Sequence, residues 1–206
     1  MRLKFRLQLD RANRRIRSVY FIESGLASVV AAGDRERRQA EICVIGREGM
    51  TGISVLLGME RSRTDTFMQV EGHGRCISAD ELRAALARRG SLASALLRYV
   101  HVYIVQAEQA ALANARGKIE ERLARWLLMA HDRLEGNDLH LTHEFLAVTL
   151  GVRRAGVTTA INELEDAGLI SAARRCITIR DREGLEEAAA GLYGVAEAEL
   201  ARVSAV

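Results

Sequence analysis

Between positions 153 and 159, Arg153, Arg154, Thr158 and Thr159 place two guanidinium groups and two hydroxyls at helical spacing. Donors on one helix face suit phosphate oxygens and base edges, and an arginine can grip a guanine through two hydrogen bonds. A basic hairpin follows from Ser171 to Arg182, with Arg174 and Arg175 near its tip, and it reads as a wing lying against phosphate. Binding of duplex DNA is the expected chemistry.

The elements needed to hold those side chains are legible around them. In LTHEFLAVTLGVRRAGVTTAINELEDAGLI, Thr142 is the expected N-cap of a first short helix, and Glu144 adds negative charge to its first turn. Phe145, Leu146 and Leu150 are apolar at helical spacing. Gly151 breaks the run where a sharp turn needs a positive φ. A second helix begins near Arg153 with Val157, Ile161 and Leu164 as its buried stripe. It ends at Gly168, with Leu169 as the apolar residue after the cap. This is a helix-turn-helix whose second helix fits a major groove. An αα-hairpin that only packs would not explain the outward arginines and threonines.

Other chemistries find little support. No Ser/His/Asp order, P-loop or dinucleotide fingerprint occurs, so no catalytic residues are expected. His140 and His143 have a spacing that two metal ligands could use, but Thr142 as N-cap accounts for the site, and no metal is expected. Glu120 with Glu121, and Glu163 with Glu165, read as solvated helix faces. The three cysteines, Cys43, Cys76 and Cys176, are too scattered for a zinc or iron–sulfur site or a disulfide framework. The net charge of +3 agrees with a nucleic-acid partner without requiring one. No apolar run approaches the roughly 20 residues that span a bilayer, and no signal peptide is evident. A cytoplasmic chain without membrane contact is expected.

The rest of the 206 residues supports an α+β architecture. Leu3, Phe5, Leu7 and Leu9 alternate with polar residues as in a half-buried edge strand. The basic residues up to Arg17 form its solvated face or, alternatively, a DNA-contacting arm. Strands are expected at 19–22, 26–31, 40–45, 66–70 and 75–77, with a polar hairpin tip from Gly33 through Asp34 to Arg38. Short strands at this spacing suggest an antiparallel sandwich or a jelly-roll-like β-roll. Ser78 and Glu81 form a capping box, opening a short helix to about Arg88. Ser91 is expected to cap a long helix over 92–115. Its stripe of Leu92, Leu96, Tyr99, Tyr103, Gln106 and Ala110 suits the seam of a parallel homodimer. A packing face for its own roll is the alternative, but the helix is longer than a small roll can cover. Arg116-Gly117 reads as a hinge. A helix over 118–134 leads into the helix-turn-helix, and the Ala/Glu-rich tail from Glu183 is expected to be helical and loosely docked. The expected units are a β-roll over 1–90, a dimerisation helix over 91–116 and a winged helix-turn-helix over 117–206.

Taken in that order, the chain resembles the Crp/Fnr superfamily of bacterial transcription regulators. The motifs that carry the resemblance are the helix-turn-helix, IEERLARWLLMAHDRL, VYFIESGLASVV and IGREGMTGISVLLG. The resemblance implies a homodimer on a palindromic operator, with RNA polymerase a candidate partner through the Gly136–Asp138 loop. It also implies a cyclic-nucleotide-binding-like roll that an effector uses to reposition the DNA-binding domains. On the family pattern the effector pocket draws on Gly49, Gly52, Ile53, Arg61, Ser62, Arg63, Thr64, Ala107 and Glu108. Departures are plain. Ile53 stands where cyclic-AMP binders have a glutamate for the ribose. Ala107-Glu108 replaces the pair that meets adenine, putting a carboxylate where it would lose its water. The clustered N-terminal cysteines of oxygen sensors and an axial set for haem are missing. No cofactor is expected, and the effector is another small molecule or none; a cyclic-nucleotide-responsive regulator is the remaining alternative. In the recognition helix Arg154 keeps the family's first arginine. Ala155 and Thr159 replace a glutamate and a second arginine, and both can meet a thymine methyl, so the operator should differ. The N-terminus looks short, since the family pattern has an extra helix and strand before this point.

Overall fold

The computed structural model describes residues 1–33 and 39–205. The expected hairpin tip from Asp34 to Arg38 lies outside the described residues. Two sheets face each other to make the roll. One has four strands in the order β2-β6-β4-β5, formed by β2 (Gln8–Asp10), β6 (Asp65–Val70), β4 (Leu26–Ala32) and β5 (Gln39–Ile45). The other has the order β1-β7-β3, formed by β1 (Arg2–Leu3), β7 (Gly72–Ser78) and β3 (Ser18–Ile22), and every pairing is antiparallel. Leu3, Leu9, Ile22, Val29, Ile45 and Met68 fill the space between them. The N-terminal alternation gives two short strands rather than one. Arg6, at φ +61°, turns the chain between them and leaves Phe5 43% exposed.

A short helix, α1 (Ile53–Leu56), interrupts the roll. Ser78 caps α2 (Ala79–Arg88) through the expected capping box with Glu81. The long helix α3 (Gly90–Arg116) starts one residue before Ser91, with Arg89 at its N-cap position. Strand β5 is an edge, and α3 covers it. Gln106 is buried and accepts the Val44 N–H at 2.6 Å, and the Tyr99 hydroxyl donates to the Met50 carbonyl at 3.3 Å. Gly49 permits this packing, since a Cβ there would collide with the Tyr99 hydroxyl. Leu96, Tyr99, Tyr103, Gln106 and Ala110, expected on a dimer seam, therefore face the chain's own roll, and Leu92 is half-buried. Leu97, Ile104 and Leu112 are instead 49%, 47% and 46% exposed.

The C-terminal part comprises α4 (Ile119–His131), β8 (Asp138–Leu139), α5 (His143–Thr149), α6 (Arg154–Asp166), β9 (Ile170–Ala173), β10 (Cys176–Ile179), α7 (Arg182–Ala188) and α8 (Val195–Ser204). Its core of Leu123, Leu127, Leu146, Val157 and Ile161 is continuous with Leu26 and Val44 of the roll. Trp126 packs edge-on against Phe145 at 5.4 Å between centroids, and its indole N–H donates to the buried Glu41 of β5. Arg133 donates to Glu48 at 2.7 Å with both side chains nearly buried. The tail is firmly docked, not loose. Leu185 and Ala189 are fully buried. Asp132 accepts from Arg182 at 2.9 Å and from Tyr193 at 2.7 Å, and α8 lies along α3. No helix among the described residues is long and apolar enough to cross a membrane.

Candidate nucleic-acid interface

Thr142 caps α5 as its sequence position suggests, its hydroxyl accepting the Phe145 N–H at 3.2 Å. At the other end, Gly151 at φ +62° donates to the Val148 carbonyl, and Val152 donates to that of Ala147. Those two bonds are the Schellman pattern, so the tight turn satisfies the last carbonyls of α5 as it redirects the chain. The same pair of bonds closes α6, from Gly168 to Glu165 and from Leu169 to Leu164. Between these caps Val157, Ala160, Ile161 and Leu164 turn inward.

The outward side of α6 holds Arg153, Arg154, Ala155, Thr158 and Thr159, all exposed. Thr158 and Thr159 donate to the carbonyls of Arg154 and Ala155 at 3.2 Å, which fixes their rotamers and leaves each oxygen able to accept. His143, on α5, approaches the Thr158 hydroxyl at 3.2 Å, a contact that sequence spacing did not reveal. The wing tip is a two-residue turn, Arg174-Arg175, since Ala173 pairs with Cys176. Both arginines are exposed, and Arg175 holds φ at +62°. The eight residues expected to meet DNA thus lie on three consecutive features: the α5 N-cap, the α6 outer face and the wing tip.

The expected effector residues divide. Gly52, Ile53, Ser62 and Thr64 line one cavity inside the roll, with Asp10 and Tyr103. Its volume is about 20 Å³, room for about one water molecule. Ser62 and Thr64 spend their groups on each other: the Ser62 hydroxyl donates to the Thr64 carbonyl at 2.6 Å, and the Thr64 N–H donates back at 3.1 Å. Asp10 enters from β2 and accepts the Gly52 N–H at 3.1 Å. Burial pushes its carboxyl up to about 6, against the lowering effect of that hydrogen bond. Asp10 was missed in the sequence; a carboxylate directly after Leu9 in an apolar alternation was the available signal.

The other effector residues lie elsewhere. Arg61 and Arg63 point outward and donate to Asn13 at 2.9 Å. Gly49 sits beneath Tyr99. Ala107 is half-buried and Glu108 is exposed on α3, so the desolvated carboxylate expected there does not arise. Glu41, also unforeseen, is raised to about 7 by burial, which the Trp126 N–H and the guanidinium groups of Arg125 and Arg133 only partly offset. Among the described residues no cluster of three or more His, Cys, Asp or Glu could hold a metal ion.

Comparison with known proteins adds to this geometry. Residues 121–188 match the Crp-like helix-turn-helix domain. No curated protein matches the chain by sequence. Solved structures do match its fold. A CRP-family transcriptional regulator of Thermus thermophilus is 20% identical, with a TM-score of 0.75 over 93% of this chain and 97% of that one. FixK2 of Bradyrhizobium japonicum is 18% identical, with a TM-score of 0.77 over 95% and 96%. The c-di-GMP-responsive global regulator CLP of Xanthomonas campestris is 18% identical, with a TM-score of 0.67 over 87% and 92%. At these identities the structures share the fold. The chain thus carries a Crp-like helix-turn-helix domain over residues 121–188, which holds the α6 donor face, and shares its fold over nearly its whole length with these regulators.

Proposed function

We propose that the chain acts as a homodimer that reads a two-fold-symmetric duplex site with paired α6 helices. The observation that carries this reading is the outer face of α6, where two arginines and two threonines stand exposed above a fully apolar inner stripe. Arg154 reads a guanine, Ala155 and Thr159 face thymine methyls, and Thr142, Arg153, Arg174 and Arg175 hold the phosphates. Dimerisation uses the outer side of α3. Leu97, Ile104 and Ala111 recur every seven residues on its exposed face, with Leu112 beside them, and that is the period of a two-helix seam.

The interior of the roll supports no cyclic nucleotide. Its cavity of about 20 Å³ is too small, and the Asp10 carboxylate already takes the Gly52 N–H that an incoming anion would need. A roll that serves only as scaffold is the second reading, and this self-filled interior is what favours it.

Operator selection from random duplexes with purified protein tests the proposal. The expected product is an inverted repeat with half-sites about one helical turn, 34–36 Å, apart. Ile104→Asp should give a monomer in sedimentation and lose that preference. Recovery of single, unpaired half-sites by the wild-type protein would refute the dimeric reading.

A further inference from the structure

The roll's interior is closed, yet an open cavity of about 600 Å³ lies on its outside, where the roll, α3 and α8 meet. That volume falls within the roughly 300–1,000 Å³ typical of small-molecule sites. Its apolar wall comes from three elements: Phe21 on β3, Leu96 on α3, and Leu200 and Val203 on α8. Its charged groups are unequal. Glu23 is held by Arg75 at 2.7 Å and Glu48 by Arg133 at 2.7 Å, so both carboxylates are already neutralised. Arg47 and Arg98 also line the cavity. Arg47 donates once, to the Asp132 carbonyl at 3.3 Å, and keeps its other donors. Among the described residues neither arginine forms an ion pair. An apolar trough with two uncommitted guanidinium groups and no free carboxylate complements an anion with an apolar body.

We infer that this cavity binds a small amphipathic organic anion, a carboxylate head on an aliphatic or aromatic body. The head would lie between Arg47 and Arg98, which favour carboxylate by charge and planar geometry. The body would lie against Leu96, Leu200 and Val203. The position suits an effector. α8 belongs to the chain's DNA-binding end, α3 is the proposed dimer helix, and a ligand between them adds contacts only while the two stay together. That consequence rests on the DNA-binding reading; the binding itself does not.

Titration calorimetry of the full-length protein with decanoate tests the inference, with decyltrimethylammonium as the cationic control. One decanoate per chain is expected, with at least tenfold weaker binding of the cation. Arg98→Ala should weaken decanoate at least tenfold, and Val203→Asp should abolish it, with thermal unfolding used to confirm that both variants fold. No heat with decanoate, equal binding of the cation, or unchanged affinity in a folded Arg98→Ala variant overturns the site. Co-sedimentation with phosphatidylglycerol vesicles in place of decanoate uptake overturns a free small molecule as occupant. Operator affinity should shift at least fivefold when decanoate is saturating. An unchanged affinity overturns the effector role, whereas failure to bind any operator in either condition counts against the DNA-binding reading instead.

Discussion

On α6 the arginines stand in solvent, with every buried position beneath them apolar; inside the roll, polar groups face inward and satisfy one another. Arg153 and Arg154 are exposed above Val157 and Ile161, whereas Asp10, Ser62 and Thr64 close around a space of about 20 Å³. A surface that keeps its donors free is poised for a partner from outside. An interior whose donors are already taken gives an incoming ligand little to gain, because each new hydrogen bond replaces one already made. Two regions of one fold thus differ in their free hydrogen-bonding capacity: the α6 face keeps its donors open, and the roll interior has used its own.

Trp126, on α4, is one of the joints between the C-terminal part and the roll, and breaking it has the largest expected effect. The indole is 2% exposed, packs on Phe145 and donates to Glu41 of the roll. Trp126→Ala should cost about 3–5 kcal/mol from lost packing and the cavity left behind. It also leaves the buried Glu41 carboxylate without its donor. In urea, followed by circular dichroism, the variant should unfold in two steps where the wild-type protein unfolds in one. A single transition of unchanged midpoint would mean that the halves do not depend on this joint.

Asp10→Asn sharpens the comparison from inside the roll. The aspartate is raised from 3.8 to about 6, so the folded state holds its proton more tightly than the unfolded state does. Stability from this group is therefore fully present below about pH 4 and is lost as pH rises to about 6, by roughly 3 kcal/mol from 1.36 kcal/mol per pH unit. Tyr20 and Tyr103 are the other titratable groups nearby, and both stay neutral in this range. Asparagine can still accept the Gly52 N–H. The stability difference between variant and wild type should grow in the variant's favour from pH 4 to 6 and then level off. A difference independent of pH would show that Asp10 is not buried as a charge.

Arg154→Ala tests the open side. A lost bidentate contact to guanine costs about 1–3 kcal/mol and relaxes preference at one base position. Arg174→Ala should weaken all sequences alike and lower the salt slope by about 1. If binding-site selection returned the same preference from Arg154→Ala as from the wild type, the recognition helix would be reading DNA through other residues.

How much of this was legible in the sequence follows the same division. The helix-turn-helix is written in short-range signals: Thr142 three residues before the N–H it caps, Gly151 at a positive φ, Gly168 and Leu169 closing α6. Each acts within a few positions, so spacing alone finds it. The long helix α3 shows where such signals fail. Its stripe of Leu96, Tyr99, Tyr103 and Ala110 is legible from its spacing, but periodicity cannot say whether a face meets its own roll or a second chain. The structure turns that stripe inward and leaves Leu97 and Ile104 outside. Glu41 and Asp10 were missed for a related reason. Their partners, Trp126 and Gly52, are 85 and 42 residues away, beyond any local pattern.

The smallest expected effect lies at the wing tip, where charge and backbone conformation conflict. Arg175 sits at φ +62°, a region that costs a residue with a Cβ about 1 kcal/mol and costs glycine nothing. A turn chosen for stability alone would carry glycine there. Arg175→Gly should therefore stabilise the protein by somewhat less than about 1 kcal/mol, since glycine also loosens the unfolded chain. It should at the same time weaken DNA binding uniformly and reduce the salt slope by about 1. Opposite signs in the two measurements would mark Arg175 as a residue held in place for a partner outside the chain. A variant that gained stability at no loss in DNA affinity would make the tip an ordinary turn, and would leave Arg174 as the wing's only contact.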